Sequence, residues 1–156
     1  MKLYIKERIF TIGDQFSVLD AYGNEKYFVQ GEIFTFGRKL HVYDRNNREV
    51  AFIRQELFNF LPTYIVYVNG MEIARVRREF SFFTQRYHVD YLGWEVEGDC
   101  FHWDYDVTCG QNRVLSISRQ LLTWGDTYIL EYNNIDYEIP GLLLAIAIDA
   151  ANCNND

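Results

Sequence analysis

Pro140-Gly141-Leu142-Leu143-Leu144-Ala145-Ile146-Ala147-Ile148 departs from everything that precedes it in this 156-residue chain. Upstream, apolar and polar residues alternate. Here alternation stops and leucine and alanine accumulate. The pattern predicts a helix from Pro140 to about Ala151, ahead of an Asn-rich tail. Proline suits the first helical position, where its missing N–H costs nothing. Asp136 and Glu138 stand just upstream, where negative charge complements a helix N-terminus. Leu142, Leu143, Leu144, Ile146 and Ile148 leave no polar face, so the helix must be buried on every side. A bilayer span takes about 20 apolar residues, more than this segment has.

What can surround such a helix is read from the rest of the chain. Phe10-Thr11-Ile12-Gly13 is echoed by Phe34-Thr35-Phe36-Gly37 and again by Phe58-Asn59-Phe60-Leu61, at spacings of 24 residues. Eight residues after each leading phenylalanine comes a valine (Val18, Val42, Val66), and two before each valine an apolar residue (Phe16, Leu40, Tyr64). Turn residues follow at Gly23-Asn24, Asn46-Asn47 and Asn69-Gly70, then further alternating runs such as Glu49 to Ile53 and Met71 to Arg77. Asn-Gly at 69–70 is a two-residue hairpin signal, because both central positions of a type I′ turn need positive φ.

The second half repeats the theme with slips. Phe80-Ser81-Phe82-Phe83 leads into Tyr87-His88-Val89, Phe101-His102-Trp103 into Tyr105-Asp106-Val107, and Leu122-Thr123-Trp124-Gly125 into Tyr128-Ile129-Leu130. About six hairpins, hence about a dozen strands, must curl or split into two sheets. Closure removes the edges, and a barrel of that size has a lumen its own side chains cannot fill. The expected fold is mainly β with one α: a closed antiparallel barrel around a central hydrophobic helix, as a single domain over 1–156. A sandwich with the helix on one sheet face is the alternative.

Composition narrows the function. A net charge of -7 works against non-specific nucleic-acid binding, which needs a basic field. Three cysteines, Cys100, Cys109 and Cys153, form an odd set, and residues 1–10 alternate charged and apolar side chains with no apolar signal core. Reduced thiols in a cytoplasmic protein follow, with no metal or other cofactor expected.

Several stretches, in this order, carry a family resemblance: FTIGD (10–14), FTFGRKLHVYD (34–44), FSFF (80–83), LGWEVEGD (92–99), LTWGDTY (122–128) and an apolar segment ending in AIDA (147–150). Over nearly its whole length the chain resembles the LURP-one-related (YxjI-like) proteins, which in turn resemble the tubby C-terminal domain and the phospholipid scramblases. The resemblance implies the same plugged barrel and a role at membranes, since tubby domains bind phosphoinositides and scramblases act on phospholipids with calcium. Asn133-Asn134-Ile135-Asp136 is a poor match to the scramblase calcium loop.

Individual residues suggest chemistry of their own. Arg75 and Arg77 share a strand face, Arg78 follows on the other, and Arg86 lies across the next connection. Together they could bind lipid phosphates, because guanidinium forks match phosphate geometry; pairing with Glu72 or Glu79 is the plainer reading. His102, Asp104 and Asp106 alternate, so they share one face and are weak candidates for metal ligation; a solvated outer face is the plainer reading there. Asp149 lies inside the apolar helix and needs a partner, for which Arg54 and Arg119 are candidates, unless it is exposed at the barrel opening. His41, His88 and His102 stand in no recognisable nucleophile motif, and no catalytic residue is assigned.

The first functional expectation is a non-catalytic binding module. It would engage anionic membrane lipid or a protein partner through the barrel exterior or a rim, and act in the cytoplasm or peripherally at a membrane. The alternative is a small-molecule carrier or enzyme using a cavity beside the helix, and a third reading is an assembly role. Exposed aromatics with arginines on one rim would mark the first, and a sizeable apolar pocket the second.

Overall fold

The computed structural model describes residues 1–8, 12–80, 85–99, 102–122 and 125–152. Twelve strands run in sequence. They are β1 (Lys2–Glu7), β2 (Gln15–Leu19), β3 (Glu25–Gly31), β4 (Lys39–Asp44), β5 (Glu49–Gln55) and β6 (Thr63–Val68), then β7 (Met71–Arg78), β8 (Gln85–Val89), β9 (Trp94–Asp99), β10 (Asp104–Cys109), β11 (Asn112–Leu122) and β12 (Gly125–Tyr132). Each is antiparallel to the next, and β1 closes on β12 with Leu3 opposite Leu130 and Ile5 opposite Tyr128. The result is the closed barrel. Helix α1 (Glu138–Asn152) fills it.

Period-2 alternation sets the inward face. Nearly every strand contributes two buried residues in register, among them Leu3 and Ile5, Phe16 and Val18, Leu40 and Val42, Tyr64 and Val66, and Tyr105 and Val107. The valines and the apolar residues two positions before them, marked by the 24-residue spacing, are all inward. From Gly141 to Ala151 every residue of α1 is buried, including the five branched residues at 142, 143, 144, 146 and 148. At Gly141 the helix runs so close to the wall that a Cβ would sit 3.0 Å from Leu115 and 3.3 Å from Leu130. Asn69 and Gly70 both take positive φ, as a type I′ turn requires.

Two expectations change at the ends of the helix. It starts at Glu138, two residues before Pro140, after a 3-10 turn over Ile135–Tyr137 that Asn134 caps by accepting from the Asp136 N–H. Glu138 is buried because three donors reach it: Lys26, Tyr27 at 2.7 Å and Tyr132. Burial raises its pKa, but hydrogen bonds from Lys26, Tyr132 and Tyr27 outweigh that and hold it below the usual value. At the other end neither Arg54 nor Arg119 meets Asp149. Arg54 bonds the Tyr67 hydroxyl and Arg119 pairs with Asp126. Asp149 is only 8 % exposed and accepts from Tyr128 instead. An inward tyrosine on β12 reaches the lumen; both arginines lie on partly exposed strand positions away from it.

Candidate functional site: an aromatic mouth

In an up-and-down barrel, connections alternate between the two mouths. Those after β1, β3, β5 and β7 open on the mouth nearest Asp149, because β12 begins there, runs past Tyr128 and ends beside Glu138. These four connections are closed alike. The first residue of each donates its N–H to the carbonyl seven residues on: Arg8 to Gln15, Glu32 to Lys39, Glu56 to Thr63 and Glu79 to Arg86. Neighbouring connections are tied together by Gly31 to Asp14, Gln55 to Arg38 and Arg78 to Pro62. Four neighbouring connections of this mouth are therefore joined by hydrogen bonds into one collar.

Side chains lock the collar. A Cβ at Gly13 would lie 2.9 Å from Ile33, and one at Gly37 would lie 2.8 Å from Leu57. Each apolar residue thus packs over the glycine of the preceding connection. The next residues turn outward. Phe34 and Phe58 take φ of 59° and 66°, a region that bulky L-residues rarely occupy. They are 100 % and 102 % exposed, with Phe36 at 92 %, Phe60 at 97 % and Phe80 at 73 %. Ile12 is exposed on the same collar. The opposite mouth exposes single apolar side chains, Met1, Tyr22, Met71, Leu92 and Ile135, and among the described residues no phenylalanine. Isolated exposed apolar residues are ordinary; five phenylalanines on one collar are not. Phe10, Phe82, Phe83, Phe101 and Trp124 belong to motifs noted in the sequence but lie outside the described residues, as do Cys100 and Cys153.

The arginine candidates lie on the wall behind this mouth. Arg75 is bound by Glu72 at 2.9 Å and Glu56 at 3.2 Å, and Arg86 by Glu97 at 3.4 Å. Glu72 and Arg75 share a face, although three residues apart, because a register shift between β6 and β7 intervenes. Arg77 and Arg78 make no ion pair among the described residues. An open groove of about 380 Å³ runs behind Phe60 with Arg75, Arg77 and His88 along it, but Glu56 and Asp90 line it too. The patch is balanced rather than basic.

The proposed metal face is not formed. His102 lies in the turn before β10, not on the strand, because the Trp103 backbone turns with φ of 57° and bonds back to Asp99. Its ring meets Asp99 at 2.6 Å, a contact that raises its pKa, while Asp106 pairs with Arg113. Asp104 and Asp106 do share the exposed face of β10. Among the described residues no three His, Cys, Asp or Glu side chains converge to hold an ion.

Beside the helix the described residues pack closely. The gap between α1 and β6–β9, lined by Val66, Val76, Trp94 and Leu143, is about 10 Å³, room for one water. The buried polar groups at both ends of the helix are spent on clamping it. Sequence reading marked Phe34 and Phe58 as repeat landmarks without assigning them a side, and missed the Lys26–Tyr27–Tyr132 clamp on Glu138. Only the chain's return through β3 and β12 brings that clamp together.

Comparisons with known proteins agree with this architecture. The chain is 29 % identical over 159 residues to the uncharacterized protein YxjI of Bacillus subtilis (strain 168), covering 100 % of this chain and 96 % of that one. An Arabidopsis thaliana protein solved by X-ray crystallography superposes with a TM-score of 0.64 over 95 % of this chain and 90 % of its own, at 18 % identity, which speaks to fold alone. The model of the LURP-one-related proteins matches residues 1–149, and the chain belongs to that family.

Proposed function

We propose that this protein is a non-catalytic binding module that docks onto phospholipid membrane with its aromatic mouth, from the cytoplasmic side. The observation that carries the reading is the row of five exposed phenylalanines, Phe34, Phe36, Phe58, Phe60 and Phe80, on three neighbouring connections of one hydrogen-bonded collar. Moving one phenylalanine from water into an apolar phase gains roughly 1.5–3 kcal/mol. Partial insertion of several reaches the about 8 kcal/mol of a micromolar complex. No helix among the described residues is long and apolar enough to cross a membrane, and the contact proposed is made by the mouth alone. The filled lumen argues against the carrier reading, since about 10 Å³ beside α1 holds no substrate.

The test is co-sedimentation with phospholipid vesicles, comparing the protein with a variant carrying Phe34→Ser, Phe36→Ser, Phe58→Ser and Phe60→Ser. The protein is expected to pellet with vesicles and the variant to stay in solution with its thermal unfolding intact. A protein that pellets with no vesicle overturns the reading.

A further inference from the structure

We infer that the mouth reads the hydrocarbon of an uncharged, zwitterionic bilayer surface rather than the charge of an anionic one; this deepens the membrane reading and rests on it. The argument begins with the charges that accompany the phenylalanines. In the four collar connections the cations are Arg8 and Arg38, and the anions are Asp14, Glu32, Glu56 and Glu79. A surface that approached an anionic bilayer would carry an excess of lysine and arginine at this level. This one carries an excess of carboxylates.

Most of the cations near the mouth are also occupied. Arg38 meets Asp14 at 3.4 Å, Lys39 meets Glu32 at 3.9 Å, Arg75 is held by two glutamates, and Arg86 by Glu97. A phosphate would have to displace a carboxylate already in place. Arg77 and Arg78 remain at the end of β7, and they offset the carboxylates of the collar rather than exceed them. With the whole chain at -7, long-range attraction to an anionic surface is missing as well.

The apolar side has the form a fluid apolar phase accepts. The phenylalanines stand two, two and one on three neighbouring connections, and four of them are at least 92 % exposed, so they do not pack into one flat patch. A protein partner would need a matching pocket for each. Acyl chains conform to each ring independently, and apolar side chains that reach the boundary between headgroups and acyl chains bind more strongly the more apolar area they bury. Two of the five are held in a disfavoured backbone region that points them outward, and such strain gathers at functional positions.

The experiment uses vesicles of phosphatidylcholine alone and of phosphatidylcholine mixed with phosphatidylserine, each at low and high salt, with co-sedimentation as the readout. Expected are equal binding to both within about twofold, little change with salt, and a loss of about tenfold or more for Phe34→Ser/Phe58→Ser. Arg77→Glu/Arg78→Glu is expected to leave binding to pure phosphatidylcholine unchanged. Binding confined to phosphatidylserine vesicles, weakened by salt and abolished by the arginine variant, overturns this inference and leaves the membrane reading standing. Failure to bind any vesicle overturns both and directs the search to a protein partner for the mouth.

Discussion

Tyr128 donates its hydroxyl to Asp149 across 2.5 Å, tying β12 to the last turn of α1. At the far end of the same helix Tyr27 and Tyr132 donate to Glu138. One helix is therefore clamped at both ends by wall tyrosines bonded to carboxylates, yet the two carboxylates titrate in opposite directions. Lys26 reaches Glu138, at 2.7 Å. Asp149 has no cation in contact among the described residues, lies at the negative end of the helix dipole, and has Glu7 and Asp14 near it.

Replacing Asp149 by asparagine is expected to stabilise the protein at neutral pH. Burial is the main cause that lifts Asp149 from 3.8 to about 6; Glu7 and Asp14 add to it, and Tyr128 and Arg38 oppose it. The folded state then holds a proton that the unfolded state has lost between about pH 4 and 6. The stability this group contributes is fully present below about pH 4 and disappears as pH rises through 6. Asp149→Asn keeps an acceptor for Tyr128 and removes the charge. Urea unfolding at about pH 7 should show a gain of roughly 2 kcal/mol, with a flatter profile between pH 4 and 6. Lower stability at neutral pH would show that the charge is compensated after all.

Glu138→Gln should act the other way. The carboxyl is held below 4.5, so its contribution is present above the unfolded value and is lost as pH falls through the folded one. The substitution breaks the contact with Lys26 and leaves a mostly buried network short of a charge. A loss of about 2–3 kcal/mol at neutral pH is expected, with a shallower decline on the acid side. Equilibrium unfolding across pH measures both.

The phenylalanines of the mouth should trade stability for binding. Phe34 and Phe58 contribute no buried contact, yet hold φ of 59° and 66°. Glycine accepts that region freely, and relief of strain outweighs its greater flexibility in the unfolded chain. Phe34→Gly is expected to raise stability by up to about 1 kcal/mol, or roughly 2–4 °C in Tm, and to weaken vesicle binding. A fall in Tm would mean that the ring supports the collar.

Gly37→Ala tests the collar itself. Its φ of 73° disfavours a side chain, and the new methyl would stand 2.8 Å from Leu57. A loss of about 1–3 kcal/mol is expected in thermal or chemical unfolding. Gly70→Ala, which has open space around it at φ of 80°, isolates the cost of the backbone alone. Equal losses at the two sites would refute the interlock between neighbouring connections.

Pattern alone made the barrel the first expectation, and the pairing of β1 with β12 separated it from the sandwich. The two inward residues per strand, the Asn69-Gly70 turn and the all-apolar segment after Pro140 are local signals whose meaning does not depend on distant partners. A helix without a polar face must be enclosed, and strands without edges can enclose it. Side-chain pairing across the barrel could not be read that way. Lys26 and Glu138 are 112 residues apart, and only barrel closure and the return of the helix through the lumen bring them together. An expected place near the barrel mouth likewise made Arg54 and Arg119 look like partners for Asp149, and alternation placed His102 on a strand that starts after it. The mouth lies between these cases. The spacing of Phe34 and Phe58 was visible in the chain, but their direction was decided by a left-handed backbone turn and by Leu57 packing over Gly37. Periodicity determines which residues recur; tertiary contacts decide which of the recurring residues are left facing water.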